Sequence, residues 1–235
     1  MNGAVVLSGG TGSRMGTGIP KQYQMMAGKP VLIHTMEQFQ RCGGIECVAV
    51  VAAEAWQRQI LRWKDEFCLS KLRVTAPAGE NRQRSILNGL RALRPFLTGD
   101  RDGVVIQDAA RPLTSGELIA RLLQGLRRAS CVLPVLPVTD TTYTSQDGQW
   151  VEGLLDRSTL YAGQAPEAFC YQDYLRLYEE TPPEKLDRMS GSCQLPYSRG
   201  WKVKMIPGEG ENIKITYQSD LELCEKLLRE RESGQ

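Results

Sequence analysis

The sequence predicts an α/β fold in which a mainly parallel sheet is flanked by helices, on two observations. Short apolar runs rich in β-branched residues are bounded by turn residues, and stretches with helical spacing of apolar residues lie between them. The predicted strands span residues 4–7, 47–52, 72–75, 104–106, 131–138 and 203–206. The predicted helices span residues 31–40, 55–66, 82–93, 116–128, 172–179 and 219–229. In such folds, ligands bind beyond the carboxyl ends of the strands.

Length and composition indicate an ordinary globular chain. Its 235 residues are 41% hydrophobic and 24% charged, which suits a single domain over residues 1–235. The formal net charge of +2 gives no field that would recruit nucleic acid or an anionic membrane, so we expect neither as a partner. The first apolar run is too short for a signal peptide or membrane span, so a cytoplasmic protein is expected. The seven scattered cysteines contain no CxxC pair and indicate neither a disulfide framework nor a zinc site.

A predicted β-hairpin interrupts the alternation of strands and helices. Two β-prone runs, residues 141–145 and 149–155, flank Asp147-Gly148, and Asp-Gly between such runs is a strong hairpin motif. We therefore expect an arm over about residues 139–160. Because an isolated two-stranded ribbon is barely stable in water, the arm is expected to lie against another surface, such as a second subunit.

A glycine-rich loop follows the first predicted strand, where residues 8–16 read Ser-Gly-Gly-Thr-Gly-Ser-Arg-Met-Gly. Its glycines allow positive φ and let backbone N–H groups approach a ligand closely, as a phosphate-binding loop requires. It is neither a Walker A sequence nor a dinucleotide fingerprint, because no Gly-Lys-Ser/Thr follows and Met15 replaces the third glycine. Arg14 and Lys21 are two cations that can converge on a triphosphate. The alternative is a strand-to-helix loop with two solvated basic residues.

Five ordered motifs, spread over nearly the whole chain, resemble those of the methylerythritol phosphate and ribitol phosphate cytidylyltransferases. They are GGTGSRMG at residues 9–16, PKQY at 20–23, AGENRQRS at 78–85, QDAARP at 107–112 and ENIKIT at 211–216. The resemblance implies a Rossmann-like nucleotidyltransferase fold whose protruding β-hairpin arm pairs two subunits into a homodimer. It also implies transfer of CMP from CTP to a small polyol phosphate, with release of pyrophosphate.

The resemblance assigns roles on the CTP side. Catalytic cations would be Arg14, Lys21 and Lys214. The residues that would bind CTP are Leu7, Ser8, Gly9, Gly10, Thr11, Gly12, Ser13, Gly79, Glu80, Arg82, Ser85 and Ala109. Among these, Gly79, Glu80 and Ser85 would contact the cytosine. Asp108 follows a predicted central strand, where Mg²⁺ bridging phosphates would need an oxygen ligand, so Mg²⁺ is the expected cofactor.

The acceptor side both matches the family and departs from it. The residues that would bind the acceptor are Arg111, Thr141, Ala165, Ser190 and the partner subunit's Arg157. The stretch at residues 160–169 resembles the ribitol-phosphate enzymes more than the methylerythritol-phosphate ones. However, Ala165 replaces the family's threonine, Gly191 its aspartate, and Gln107 its usual histidine.

Three alternatives stay open at this point. The acceptor can be ribitol 5-phosphate, 2-C-methyl-D-erythritol 4-phosphate, or another polyol or sugar phosphate. A nucleotide-dependent oxidoreductase is disfavoured by the failed dinucleotide fingerprint. A nucleotide-binding module without turnover is motivated by Ala165 and Gly191. The chain's single histidine, His34, lies in the first predicted helix, and phosphoryl transfer of this kind does not require it.

Overall fold

The structure, a computed structural model, describes residues 1–10 and 18–233. Its strands are β1 (Asn2–Leu7), β2 (Met25–Met26), β3 (Lys29–Pro30), β4 (Cys47–Ala52), β5 (Leu72–Pro77), β6 (Gly103–Asp108), β7 (Cys131–Pro137), β8 (Thr142–Thr144), β9 (Gly153–Leu155), β10 (Tyr161–Gly163), β11 (Glu167–Cys170) and β12 (Val203–Pro207). Its helices are α1 (Val31–Arg41), α2 (Glu54–Glu66), α3 (Arg82–Leu93), α4 (Gly116–Leu126), α5 (Tyr171–Glu179), α6 (Pro183–Leu186), α7 (Gln194–Ser198) and α8 (Gln218–Ser233). Within the described residues, no helix combines the length and apolar character needed to cross a membrane.

Eight of these strands form one sheet in the order β10-β7-β11-β6-β1-β4-β5, with β12 also paired to β7. Strands β5, β4, β1 and β6 run parallel to one another, as do β7 and β12. Strands β10 and β11 run antiparallel to their neighbours. The predicted α/β fold with a mainly parallel sheet is therefore confirmed. All six predicted strands and all six predicted helices are present, with ends that differ by four residues or fewer.

Strands β10 and β11 were not predicted, because strands of three and four residues carry no extended apolar run. Strand β11 lies between β6 and β7 and pairs with both of them. Its Ala168 and Phe169 pack into opposite faces of the sheet. Its first residue, Glu167, pairs in register with Ile106 near the carboxyl end of β6. This strand therefore brings a carboxylate to the centre of the sheet.

Helices cover both faces of the sheet, which explains the continuous apolar runs in its strands. Along β1, Ala4 and Val6 pack into one core, and Val5 packs into the other. Helices α1, α2 and α4 cover the first face, and α3 and α5 cover the second. Because both faces are filled by apolar side chains, polar side chains that can do chemistry are expected at the strand ends.

A third, smaller core joins α8 to the middle of the chain. It comprises Met26, Val31, Ala110, Leu113, Ile215, Leu221 and Cys224. The Ile215 backbone N–H donates to the Ala110 carbonyl at 2.9 Å, so the segment before α8 is held against the loop that follows β6. This packing places Lys214 beside Asp108 at the carboxyl end of β6.

The predicted hairpin arm is present as β8 and β9, which form a separate antiparallel sheet. Its paired strands are shorter than predicted. Asp147 Oδ1 accepts hydrogen bonds from the backbone N–H groups of Gln149 and Trp150 at 2.8 and 3.1 Å, which draws these residues into the turn. Gly148 has a φ of +72°, which only glycine adopts readily. In the single chain the arm exposes apolar surface, with 75% of Trp150 and 67% of Leu154 accessible.

Candidate functional site

A pocket of about 400 Å³ opens beyond the carboxyl ends of β1 and β6. It is lined by Leu7, Gly9, Gly10, Lys21, Gln22, Gly79, Glu80, Asn81, Arg82, Ser85, Asp108, Ala109, Ala110 and Lys214. Each of the five sequence motifs contributes to this lining. A larger cavity of about 1170 Å³ lies at the opposite ends of the same strands, beside Met1 and Asp102, but no motif residue lines it. The pocket at the carboxyl ends is therefore the candidate functional site.

A short 3-10 turn, Lys21–Tyr23, holds the glycine loop and places Lys21 in the pocket. The side-chain amide of Gln22 donates to the carbonyls of Ser8 and Gly10, at 2.8 Å in each case. The Tyr23 hydroxyl donates to the Ser8 carbonyl at 3.0 Å. A role was predicted for the lysine of this motif but not for Gln22. Its amide fixes two carbonyls, which orients the loop that the lysine faces.

Two glycines allow the walls of the pocket to approach each other. A Cβ on Gly9 would lie 2.7 Å from the Cβ of Ala78, and a Cβ on Gly79 would lie 2.3 Å from that of Arg84. A larger residue at position 9 would therefore push the glycine loop away from the loop that precedes α3, and one at position 79 would push that second loop away from the first turn of α3. The Gly79 N–H is bound by the Ser85 hydroxyl oxygen at 3.0 Å, so Ser85 shapes this second loop.

Asp108 is surrounded by three cations. Its carboxylate lies 2.9 Å from Lys214 Nζ, 3.2 Å from Arg82 Nη2 and 3.8 Å from Arg111 Nε. Burial alone would raise the pKa of Asp108, but the charges of Arg82, Lys214 and Arg111 outweigh it and hold that pKa well below its usual value. Asp108 is therefore ionised at neutral pH, and the surplus of positive charge around it favours an anionic ligand.

Glu167 is a second buried carboxylate at the site, and it was not predicted from the sequence. Its side chain lies 3.9 Å from Arg82 Nη2, and burial raises its pKa despite the opposing charge of Arg82. Arg82 also donates to the Ser192 hydroxyl at 2.5 Å. Arg82 therefore joins Asp108, Glu167 and Ser192. Glu167 could not be found from the sequence, because a single acidic residue at the start of a four-residue strand forms no recognisable pattern.

Two of the predicted acceptor residues are linked through one asparagine. The Asn212 carbonyl accepts a hydrogen bond from Arg111 Nη1 at 2.5 Å. The Asn212 side-chain amide donates to the Ala165 carbonyl at 2.7 Å. Ala165 is buried, and the methyl group that replaces the family's threonine has no hydroxyl to offer a ligand.

The other predicted acceptor residues do not line the pocket of the single chain. Thr141 and Arg157 are exposed, at the base of the arm. Ser190 is also exposed, and its backbone N–H donates to the Gln194 side chain at 2.9 Å. The nearby hydroxyl that does reach the site belongs to Ser192. The roles given to Thr141, Arg157 and Ser190 stay predictions.

Part of the predicted CTP site lies outside the described residues. Thr11, Gly12, Ser13 and Arg14 fall in the range 11–17. Their roles stay predictions from the sequence. His34 is described: it lies in α1 and its Nε2 is 2.7 Å from the Met26 carbonyl, away from the pocket lining.

Comparison with known proteins relates the whole chain to one family. The profile described as IspD, 2-C-methyl-D-erythritol 4-phosphate cytidylyltransferase, matches residues 3–230. The chain is 38% identical over 238 residues to a 2-C-methyl-D-erythritol 4-phosphate cytidylyltransferase of Rubrobacter xylanophilus. This alignment covers 99% of this chain and 97% of the relative. It is 30% identical over 237 residues to a ribitol-5-phosphate cytidylyltransferase of Vibrio parahaemolyticus, in an alignment that covers 100% of this chain and 99% of the relative.

Solved structures have the same fold. The 4-diphosphocytidyl-2C-methyl-D-erythritol synthase of Anaerococcus prevotii superposes with a TM-score of 0.80 at 24% identity, over 97% of this chain and 96% of that chain. The 2-C-methyl-D-erythritol 4-phosphate cytidylyltransferase of Thermus thermophilus superposes with a TM-score of 0.78 at 25% identity, over 97% of this chain and 100% of that chain. The expected nucleotidyltransferase fold is confirmed, and the chain belongs to the IspD family of cytidylyltransferases.

Proposed function

We propose that this chain acts as a single nucleotidyltransferase domain that moves CMP from CTP onto the phosphate of a small polyol phosphate. The observation that carries the proposal is the pocket itself, in which Lys21, Arg82 and Lys214 converge with Asp108 beside a glycine loop. These cations suit a triphosphate, and the family membership makes CTP the triphosphate of choice.

The proposed reaction needs no nucleophile from the protein. A phosphate oxygen of the acceptor attacks the α-phosphorus of CTP, the new P–O bond forms, and the bond to the β-phosphate breaks to release pyrophosphate. The acceptor phosphate is already ionised near neutral pH, so catalysis consists of positioning two anions and neutralising the charge that develops. We assign that neutralisation to Arg14, Lys21 and Lys214.

The residues of the pocket fit a magnesium ion held mainly by phosphates and water. Asp108 is ionised and lines the pocket at a strand end, so its carboxylate would hold the ion. No group of three ligating side chains exists among residues 1–10 and 18–233, so the protein alone would not enclose it. When bound, Mg²⁺ would neutralise charge on the triphosphate. Lys214, whose Nζ lies 2.9 Å from the Asp108 carboxylate, lines the same pocket and would bind the phosphates.

Ribitol 5-phosphate is our first choice of acceptor, because the stretch Leu160-Tyr161-Ala162-Gly163-Gln164 is similar to that of the ribitol-phosphate enzymes. In this stretch Gln164 has an architectural role. Its side chain donates to the Glu209 carbonyl at 2.9 Å and accepts from the Glu209 N–H at 3.0 Å. Gln164 thereby holds the loop that leads to Asn212 and Lys214.

2-C-methyl-D-erythritol 4-phosphate is the second candidate acceptor. A specific observation favours it, since the Rubrobacter relative named for that substrate is 38% identical, against 30% for the Vibrio ribitol-phosphate relative. The replacement of the family's threonine by Ala165 bears on both candidates, because a site that lacks a hydroxyl loses discrimination among polyols.

A panel of acceptors tests the function directly. The purified protein, CTP and Mg²⁺ are mixed with each of several polyol and sugar phosphates, and pyrophosphate release is measured. We expect turnover with ribitol 5-phosphate to exceed that with the others. Higher turnover with 2-C-methyl-D-erythritol 4-phosphate would reverse the ranking of acceptors. Tight CTP binding without turnover on any acceptor would favour a binding module, and NAD(H) binding would favour an oxidoreductase.

We further propose that the arm pairs two cytoplasmic subunits and that each arm brings Arg157 to the partner's site. The exposed apolar residues of the arm, which include Trp150 and Leu154, supply a surface that pairing would cover. The exposed position of Arg157, away from the pocket of its own chain, fits a role in the other subunit.

Mixing two inactive variants tests this shared site. We expect Lys21→Ala and Arg157→Ala each to be nearly inactive, and an equilibrated mixture to regain roughly a quarter of wild-type turnover. Half of the random dimers would combine the two variants and contain one intact site of two. Light scattering checks that dimers form. If the mixture is no more active than its separate components, Arg157 does not act in the partner's site.

A further inference from the structure

A continuous chain of buried side-chain hydrogen bonds runs behind the pocket through Gln107, Thr114 and Asn212. Gln107 Nε2 donates to the Thr114 hydroxyl at 2.6 Å, and this hydroxyl lies 2.9 Å from Asn212 Oδ1, to which it donates. All three side chains are at most 1% exposed. In such a low-dielectric setting each member depends on its neighbours, because an unpaired buried polar group is costly.

The two ends of this chain lie on the two halves of the site. At one end, Gln107 Oε1 accepts from the backbone N–H of Asp108 at 3.1 Å. At the other end, Asn212 Nδ2 donates to the Ala165 carbonyl at 2.7 Å. The chain therefore joins the peptide that carries the proposed metal ligand to the segment proposed to face the acceptor. It does so through side chains alone, across three separate segments.

Thr114 is the central link, and its hydroxyl is not needed to begin the following helix. Helix α4 is capped by Ser115, whose Oγ accepts from the Leu118 N–H at 2.9 Å. The Thr114 hydroxyl has one hydrogen to donate, and its other nearby acceptor is the Arg111 carbonyl at 3.1 Å. Both acceptors belong to segments that carry proposed site residues.

We propose that Thr114 is a positioning residue, whose hydroxyl sets the spacing between the nucleotide half and the acceptor half of the site. This inference rests on the proposed function and deepens it. In-line attack requires the two phosphates to meet at a defined distance, and a misplacement of about 1 Å can cost on the order of 10²-fold in rate. Removal of the central link leaves Gln107 Nε2 and Asn212 Oδ1 without their shared partner, so the segments at either end can shift.

Two substitutions at the same position separate the hydroxyl from the rest of the side chain. Thr114→Val keeps the shape of the side chain and removes the hydroxyl, whereas Thr114→Ser keeps the hydroxyl. We expect Thr114→Val to lower kcat by roughly 10- to 100-fold with the Kd for CTP, measured calorimetrically, within about threefold of wild type. We expect Thr114→Ser to retain most of the wild-type kcat.

A matched control accounts for any general loss of stability. Thr181 is also buried, and its hydroxyl donates to the Leu177 carbonyl at 2.6 Å at the end of α5, away from the pocket lining. We expect Thr181→Val to lower the Tm about as much as Thr114→Val while leaving kcat unchanged. If Thr114→Val does not fold, Gln107→Met cuts the next link and should reproduce the loss of kcat.

The outcomes separate this inference from the proposed function. Wild-type turnover together with a Thr114→Val kcat within twofold of wild type overturns the positioning role and leaves the function intact. Equal losses in Thr114→Val and Thr114→Ser, or in Thr181→Val, also overturn it, because the effect would not belong to the Thr114 hydroxyl. Absence of wild-type turnover on every acceptor overturns the proposed function, and the positioning role falls with it.

Discussion

Replacing Lys21 with alanine is expected to lower kcat by roughly 10²- to 10³-fold. Lys21 lines the pocket at the start of the 3-10 turn that clamps the glycine loop. Its charge would stabilise the phosphoryl oxygens as negative charge builds during transfer, a contribution that grows in the transition state. The measurement is pyrophosphate release at saturating CTP and acceptor, with Tm measured in parallel.

Lys29 provides the control for this substitution. It lies eight residues further on, pairs with Glu37 at 2.5 Å and does not line the pocket. Lys29→Ala is expected to keep wild-type turnover, because neither Lys29 nor Glu37 lines the pocket. Because Gln22 and Tyr23 hold the loop independently of the lysine, Lys21→Ala should keep its Tm within a few degrees. Near-wild-type turnover by Lys21→Ala would contradict its catalytic assignment.

Asp108→Asn is expected to lower kcat by about 10²-fold or more and to destabilise the fold. The substitution removes the proposed metal ligand and the anion that three cations share. Removing one partner of a buried ion pair lowers the free energy of unfolding by about 3 to 5 kcal/mol. We expect a loss of about 3 kcal/mol, because Arg82 retains its contacts with Glu167 and Ser192. Turnover and the free energy of unfolding are the two measurements.

The loss of stability in Asp108→Asn is also expected to depend on pH. The folded-state pKa of Asp108 is lowered, so its contribution is fully present above the unfolded pKa of about 3.9 and is lost as pH falls through the lower folded pKa. The difference from wild type should stay constant from neutral pH to about pH 5 and shrink in stronger acid. Asp187→Asn, which breaks a surface ion pair with Arg84, is the control for loss of a carboxylate outside the pocket, and it should lower the free energy of unfolding much less. Turnover of Asp108→Asn within threefold of wild type would refute the metal assignment.

The parallel part of the fold could be predicted from sequence because its strands are buried on both faces. Such strands appear as continuous apolar runs, and β4 matches its predicted bounds, residues 47–52. Strands β10 and β11 could not be predicted, because β11 is fixed by its pairing with β6 and β7 and β10 by its pairing with β7, and segments of three and four residues do not reveal such pairing. The arm was predicted from Asp147-Gly148, but its length depends on the hydrogen bonds that the Asp147 carboxylate makes in the turn.

The nucleotide half of the pocket was more predictable than the acceptor half. Strands β1 and β6 are neighbours, so the loops that follow them had to meet, and Asp108 was placed by its position at a strand end. The Arg82–Glu167 approach depends on β11 and was invisible in sequence. On the acceptor side, Ser190 and Ser192 are both hydroxyls, and only the conformation of the segment before α7 decides that Ser192 meets Arg82.

The insertion of β11 between β6 and β7 has a consequence for synthesis of the chain. Both strands that it joins are made before it, so the growing polypeptide carries two unpaired, apolar strand edges until residues 167–170 leave the ribosome. Arg82 then meets Ser192, 110 residues away, only after a further stretch of translation. The nascent chain is therefore expected to be prone to self-association until β11 has paired with β6 and β7 and β12 has covered the other edge of β7.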